Sequence, residues 1–183
     1  MGRRQKAIPF LVNKIMKIQI ENLSMQEQFE LAKKKTAEIT ARGRKTEKEL
    51  KDKLRQYGFC PDVCDAVAQW ACEYYFIDDA EYARVYVQTA SKKYGRRRIE
   101  QALRFKGVAS EYIEDAFAEF DFEDVREKLE VEVEKRLGGN FERKNVDKVV
   151  RHFLARGYAY EQIRSALDMA KQNHIPEEDN DGF

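Results

Sequence analysis

Three stretches decide how this chain is read: LKDKLRQYGFCPDVCDAVA (50–68), IEQALRFKGVASEYIEDAF (99–117) and VVRHFLARGYAYEQIRSAL (149–167). Laid over one another, they bring Gly58, Gly107 and Gly157 into register, at spacings of 49 and 50 residues. Eight residues before each glycine stands Leu50, Ile99 or Val149, and four before stands Leu54, Leu103 or Phe153. Six after stands Cys64, Ile113 or Ile163, and ten after stands Ala68, Phe117 or Leu167. Apolar residues four apart mark one face of a helix. A glycine just past such a helix ends it, because a residue without Cβ enters the left-handed region at little cost. Each stretch therefore predicts a helix, a glycine turn and a second helix, and the period near 50 marks a repeat architecture.

A further helix precedes each pair. MQEQFELAKKKTAEIT (25–40) turns Phe29, Ala32, Ala37 and Ile39 inward. DDAEYARVYVQTASKKY (78–94) begins with Asp78 or Asp79 as N-cap and buries Tyr82, Ala83, Tyr86 and Ala90. DFEDVREKLEVEVEKRL (121–137) carries Val125, Leu129 and Val133 at helical spacing, and Gly138-Gly139 ends it. For the second helix of each group, Thr46 with Glu49 forms a capping box, and Gly95 and Asn145 occupy the corresponding cap positions. The prediction is an all-α protein of three tandem three-helix repeats in an elongated, curved array. The boundaries are an appendage at 1–24, repeats at 25–77, 78–120 and 121–172, and an acidic tail at 173–183. The joins between repeats are too short for a flexible linker, so neighbours touch mainly neighbours.

Composition excludes several classes. Charged residues make up 37% of the 183, above the roughly 25% usual for globular domains, so much helix surface faces water. No apolar run reaches the 18 residues that a membrane helix needs. MGRRQKAIPFLVNKIMKIQ has too short an apolar run, broken by Lys14 and Lys17, for a secretory signal. Three cysteines, Cys60, Cys64 and Cys72, fit reduced thiols in the cytoplasm rather than a disulfide framework. They lack the fourth ligand of a metal site, because His152 and His174 lie far off in sequence. Neither a metal nor a cofactor is expected. The phosphate-binding, metalloprotease and nucleophile-elbow motifs are absent, so no enzyme is predicted.

Charge is the remaining signal. Formal net charge is +1, yet Arg84 to Lys106 holds eight cations against Glu100 alone. Residues 111–134 reverse this, with eleven acids and two bases. Arg96, Arg97 and Arg98 open a helix, where the dipole disfavours cations by a few tenths of a kcal/mol. Local stability does not place three arginines there, whereas a polyanion would, since phosphates approach helix starts and arginine binds them bidentately. The plainer reading is a solvated helix face whose cations pair with Glu111, Glu114 and Glu119. Tyr82, Tyr86 and Phe105 could stack on bases; helical spacing assigns the tyrosines to the core and leaves Phe105 as the exposed candidate.

FIDDAEYARVYVQTASKKYGRRRIEQALRFKGV (76–108) resembles the signature of the RecX family of bacterial recombination regulators. The matching residues are Ile77, Asp78, Asp79, Tyr82, Ala83, Tyr86, Gly95, Arg97, Arg98, Ile99, Leu103, Lys106 and Gly107. The third stretch is similar to the family's C-terminal ending, with Ala155 at a commonly basic position, and TEKELKDKLRQYGF is similar to its opening. The resemblance covers about residues 27 to 170. It implies three tandem three-helix repeats and a regulator of recombination, DNA repair and the SOS response that is not an enzyme. It also implies binding to the RecA filament on single-stranded DNA, with lowered ATPase, strand-exchange and coprotease activities. The expected partners are RecA and, weakly and without sequence preference, single-stranded DNA; no membrane is involved, and the chain is expected to be a cytoplasmic monomer. Lys92, Lys93, Arg96, Arg97, Arg98, Arg104 and Lys106 are the candidate contacts to filament or phosphate. A stand-alone helical DNA-binding module and a scaffold for an unrelated partner are the alternatives. The acidic end PEEDNDGF (176–183) reads as a disordered tail, with masking of the basic middle as a role to test.

Overall fold

The computed structural model describes residues 19–20 and 22–174. The readings of 1–18 and of the acidic end lie outside these residues. Among the described residues there are nine α-helices and no strand. They are α1 (Met25–Thr40), α2 (Glu47–Tyr57), α3 (Pro61–Glu73), α4 (Asp79–Ala90), α5 (Arg96–Phe105), α6 (Ser110–Ala118), α7 (Glu123–Leu137), α8 (Arg143–Ala155) and α9 (Tyr160–Asn173). No helix among them is long and apolar enough to cross a membrane.

The repeat positions behave alike. Leu50, Ile99 and Val149 are buried, as are Leu54, Leu103 and Phe153, then Cys64, Ile113 and Ile163, then Ala68, Phe117 and Leu167. Gly58, Gly107 and Gly157 have φ of +101°, +86° and +89°. After Gly58, the Phe59 amide donates back to the Leu54 carbonyl, and after Gly157 Tyr158 donates to Phe153 in the same way. These are the reaches that a left-handed residue makes possible. Asp78 directly precedes α4, and its Oδ1 accepts from the Glu81 amide at 2.8 Å.

The described residues divide into two compact units: those up to 83 with 104–114, and 84–103 with those from 115 on. In the first, α1 and α2 both pack on α3. The core holds Leu50, Leu54, Val63, Cys64, Val67, Ala68 and Ala71, closed by Ala32, Ile39 and Ile77. Truncating a side chain such as Leu54 to alanine here costs about 2–5 kcal/mol. The inward stripe of α1 is Gln28, Ala32, Thr36 and Ile39, which corrects the expected one. Phe29 is only half-buried and Ala37 is exposed. The polar members fit because they are satisfied locally. Gln28 Nε2 donates to Leu23 O, its Oε1 accepts from the Cys60 amide, and Thr36 Oγ1 donates to Ala32 O. Ser24 and Glu27 start α1 with a capping box, as Thr46 and Glu49 start α2.

The end of α3 breaks the glycine rule. Tyr75 holds the left-handed position at φ +58° and is 86% exposed, while Phe76 and Ile77 both donate to Ala71 O. Trp70 stacks on Phe76 at 5.0 Å and is half-buried against the core. Among the predicted inward tyrosines of α4, Tyr82 and Tyr86 are only partly buried; Ala83 and Val87 carry the core face.

In the second unit α7 packs on α9, and α8 lies against both. Leu129, Val133 and Leu137 meet Val149, Phe153, Ile163, Ala166, Leu167 and Ala170. Phe153 sets its ring edge-on to Tyr158 at 5.7 Å. Asn145 is not the cap of α8: Glu142 holds that place without a side-chain bond. Asn145 Nδ2 instead donates to Leu137 O and Asn140 O, tying down the end of α7 after Gly138. Bonding to these carbonyls outcompetes the local cap, because the end of a helix leaves orphan acceptors that need a donor. The three thiols are free; burial first of all pushes the Cys64 thiol up to about 11, which keeps it protonated and unreactive.

Candidate polyanion-binding surface

The basic helix α5 starts against the Gly157 turn, entirely within the second unit. The Gly95 amide donates to Arg156 O at 3.0 Å, and the Arg97 amide donates to Gly157 O at 3.2 Å. The approach is so close that a Cβ on Gly95 would overlap the Gly157 carbonyl, and one on Gly157 would sit 2.5 Å from the Arg98 nitrogen. Gly95 is therefore a contact glycine, and its carbonyl accepts the first helical bond, from Ile99. Because Gly157 O occupies the Arg97 amide, that part of the helix start is not open to a phosphate.

The side chains divide. Arg96 Nε donates to Glu100 Oε1 at 2.8 Å, and its guanidinium lies 4.5 Å from the centre of the Phe117 ring. Arg98 Nη1 donates to Ala155 O at 3.3 Å while its guanidinium covers Tyr94 at 4.5 Å. Ala155 ends α8, so Arg98 neutralises orphan carbonyls at a helix C-terminus, where a cation is favoured by about 0.3–1 kcal/mol. Local stability thus accounts for Arg98. Arg97 is exposed and lines an open cleft of about 410 Å³ with Arg98, Gln101, Leu154 and Gly157. Lys92 and Lys93 are exposed on the turn before α5. Among the described residues, no carboxylate pairs with Lys92, Lys93 or Arg97. The pairing with the following acidic helix is realised by Arg84, whose Nε meets Glu119 Oε2 at 2.8 Å.

Two other nominated cations belong to the first unit. Arg104 is exposed on the last turn of α5. Lys106 does not reach for solvent: its Nζ meets Glu49 Oε1 at 2.5 Å and lies 5.4 Å from the Tyr82 ring centre. Burial pushes the Glu49 carboxyl up, but the Lys106 ammonium, the Thr46 amide and the charge of Lys45 together hold it below its ordinary value. Phe105 is 81% exposed, as expected, with Lys48 Nζ 5.4 Å from its ring centre. Sequence reasoning missed Glu49, Tyr94 and the Gly157 turn as partners. The signal for the last was present, since Thr46 and Gly95 both stand twelve residues before an aligned glycine.

Residues 78–116, which include this surface, match the family model described as RecX, second three-helix domain. The regulatory protein RecX of Vibrio vulnificus is 34% identical over 122 residues, 65% of this chain and 79% of that protein. The chain belongs to the RecX family. The RecX of Clostridium perfringens strain 13 is 28% identical over 164 residues, 86% of this chain and 77% of its own length. Against the RecX of Clostridium botulinum Eklund 17B the identity is 32% over 136 residues, and the chain spans 63% of that relative's length. The fold is shared with the crystal structure of RecX from Lactobacillus salivarius, at a TM-score of 0.73 and 22% identity. That match covers 80% of this chain and 99% of the other.

Proposed function

We propose that this chain is a regulatory protein that binds the RecA filament on single-stranded DNA and lowers its ATPase, strand-exchange and coprotease activities. It acts by binding, with no chemistry of its own. Membership of the RecX family supports the class of protein. The observation that carries the contact is the set of exposed cations without acidic partners, Lys92, Lys93 and Arg97, beside a helix start held by main-chain hydrogen bonds. Cations on a pre-ordered backbone lose less conformational freedom when they meet phosphates or an acidic protein face. Arg96 and Arg98 retain unused donors beside the ring or carbonyl they already touch, and Arg104 extends the same helix.

The decisive measurement is DNA-dependent ATP hydrolysis by the cognate RecA on single-stranded DNA, with this protein titrated below one molecule per subunit. A fall in rate is expected. Arg97→Glu with Arg104→Glu should raise the concentration needed by about tenfold, the scale of one or two lost charged hydrogen bonds. Both positions are exposed, so the thermal melt should not move. No inhibition by the folded wild-type protein would remove the recombinase reading. Tight, salt-dependent binding to naked DNA with sequence preference would replace it by the DNA-binding module.

A further inference from the structure

The acidic stretch 111–134 touches the basic segment only through Phe117, under Arg96, and Glu119, paired with Arg84, in the contacts described above. Within the second unit its end walls a cleft of about 450 Å³ between the first two turns of α7 and of α9. That volume is in the range of pockets that accept a ligand or an anchoring side chain. We propose that this cleft docks a basic amphipathic helix of a partner protein, seating one apolar side chain on its floor and lysines or arginines on its glutamates.

The floor is apolar: Phe122, Val125, Leu129 and Tyr158. Phe122 is kept in place by the rings of Phe117 at 5.9 Å and Phe120 at 4.8 Å. Tyr158 is only 8% exposed and forms part of this floor. Burial pushes its hydroxyl above the ordinary pKa, so it remains a neutral donor and acceptor.

The rim is anionic. Glu123, Glu130 and Glu161 line it with one cation, Arg126, which is shared between Glu130 at 3.2 Å and Glu123 at 3.8 Å. Three carboxylates with one guanidinium repel nucleic acid. The chain's own residues 176–183 carry four acids and no base, the same sign as the rim. A purely apolar ligand would leave the carboxylates unused. A helix with an apolar anchor flanked by positive charge uses both floor and rim, which is the helix-in-groove mode of recognition. The proposal stands apart from the recombinase reading, since cleft and basic surface share no residue.

The test uses the full chain and a defined probe: a fluorescent helical peptide of leucine and lysine, its leucine and glutamate counterpart, and an oligothymidine. The lysine peptide should bind saturably, with amide shift changes in a labelled protein clustered at 122–130 and 158–165. Glu123→Lys with Glu161→Lys should weaken it at least about tenfold, a rim-charge effect. Ser165→Trp, which fills the cleft from an exposed position, should do the same. Glu111→Lys with Glu114→Lys changes net charge equally at exposed positions outside the cleft and should leave binding unchanged. The proposal fails if this outside pair weakens binding as much, if the glutamate peptide or the oligothymidine binds as well, or if the shifts scatter over the acidic surface. Should Ser165→Trp not fold, the two charge pairs still decide.

Discussion

In the first unit the start of α2 meets the Gly107 turn through side chains. Thr46 Oγ1 donates to Lys106 O at 2.7 Å, and Lys48 Nζ donates to Phe105 O at 2.8 Å. In the second unit the start of α5 meets the Gly157 turn largely through the main chain. The Gly95 amide donates to Arg156 O at 3.0 Å, and Arg98 Nη1 donates to Ala155 O at 3.3 Å. The acceptors are the same in both joins, the carbonyls one and two residues before the turn glycine. Where the residue before the helix is threonine, a hydroxyl spans the gap, and the Lys48 side chain lies against the turn glycine. Where it is glycine, the backbones close until no Cβ fits. One contact pattern is thus met by a polar, charge-bearing join and by a close-packed one, and the two should fail under different insults.

The largest effect is expected at the close-packed join. Gly95→Ala places a Cβ on the Gly157 carbonyl, backbone that cannot swing away, and should destabilise the second unit by about 3 kcal/mol or more. Trp70 is the single tryptophan and lies in the first unit. Urea melts followed by far-ultraviolet circular dichroism should therefore lose stability well before Trp70 emission does. Coincident, equally shifted curves would show that the joins are not separable. At the polar join, Thr46→Ala removes a fully buried hydroxyl that also caps α2, and a loss of about 1–2 kcal/mol is expected, read by Trp70.

Tyr75→Gly should go the other way. An exposed tyrosine in the left-handed region gives up about 1 kcal/mol that glycine would not. Trp70 emission should report a higher midpoint; a lower one would mean that the ring stabilises the turn more than its backbone strains it.

The smallest effect is a pH dependence confined to the first unit. Asp79 Oδ1 accepts from the Glu47 amide at 2.9 Å, and burial, followed by the charges of Glu47, Asp78 and Glu49, pushes its carboxyl above the ordinary value. Its protonated form therefore fits the fold better than its charged form. The stability this contributes is present at low pH and lost as pH rises through the raised pKa. Glu49 is held low, so its contribution is present above the ordinary carboxylate range and lost as pH falls through the lowered value. Asp79→Asn keeps the acceptor and removes the charge. It should be more stable than wild type near pH 7, by about 1 kcal/mol at most, with the difference vanishing on acidification. A constant difference across pH would assign the effect to something other than charge.

Helices and turns were legible because their causes are local. The spacing of Leu50, Leu54, Cys64 and Ala68, repeated twice, needs only helical periodicity, and the three turn glycines need only a positive φ. Asn145 was misread because a cap and a donor to the end of the preceding helix use the same side chain, and the choice depends on how the turn after Gly138 folds back. Ala37 gave way to Thr36 because a threonine hydroxyl satisfied by its own helix can be buried like a small apolar group.

The candidate surface was legible only as charge. That Arg84 to Lys106 is rich in cations is a property of the sequence, as are the family signature and the repeat period. Which of those cations is available is not, because availability depends on partners distant along the chain. Lys106 is neutralised by Glu49 and Arg98 is held by Ala155, each 57 residues away, while Arg97 faces an open cleft. Local periodicity decides helices because their hydrogen bonds close within four residues; tertiary structure decides free charge because an ion pair depends on distance in space, not along the chain.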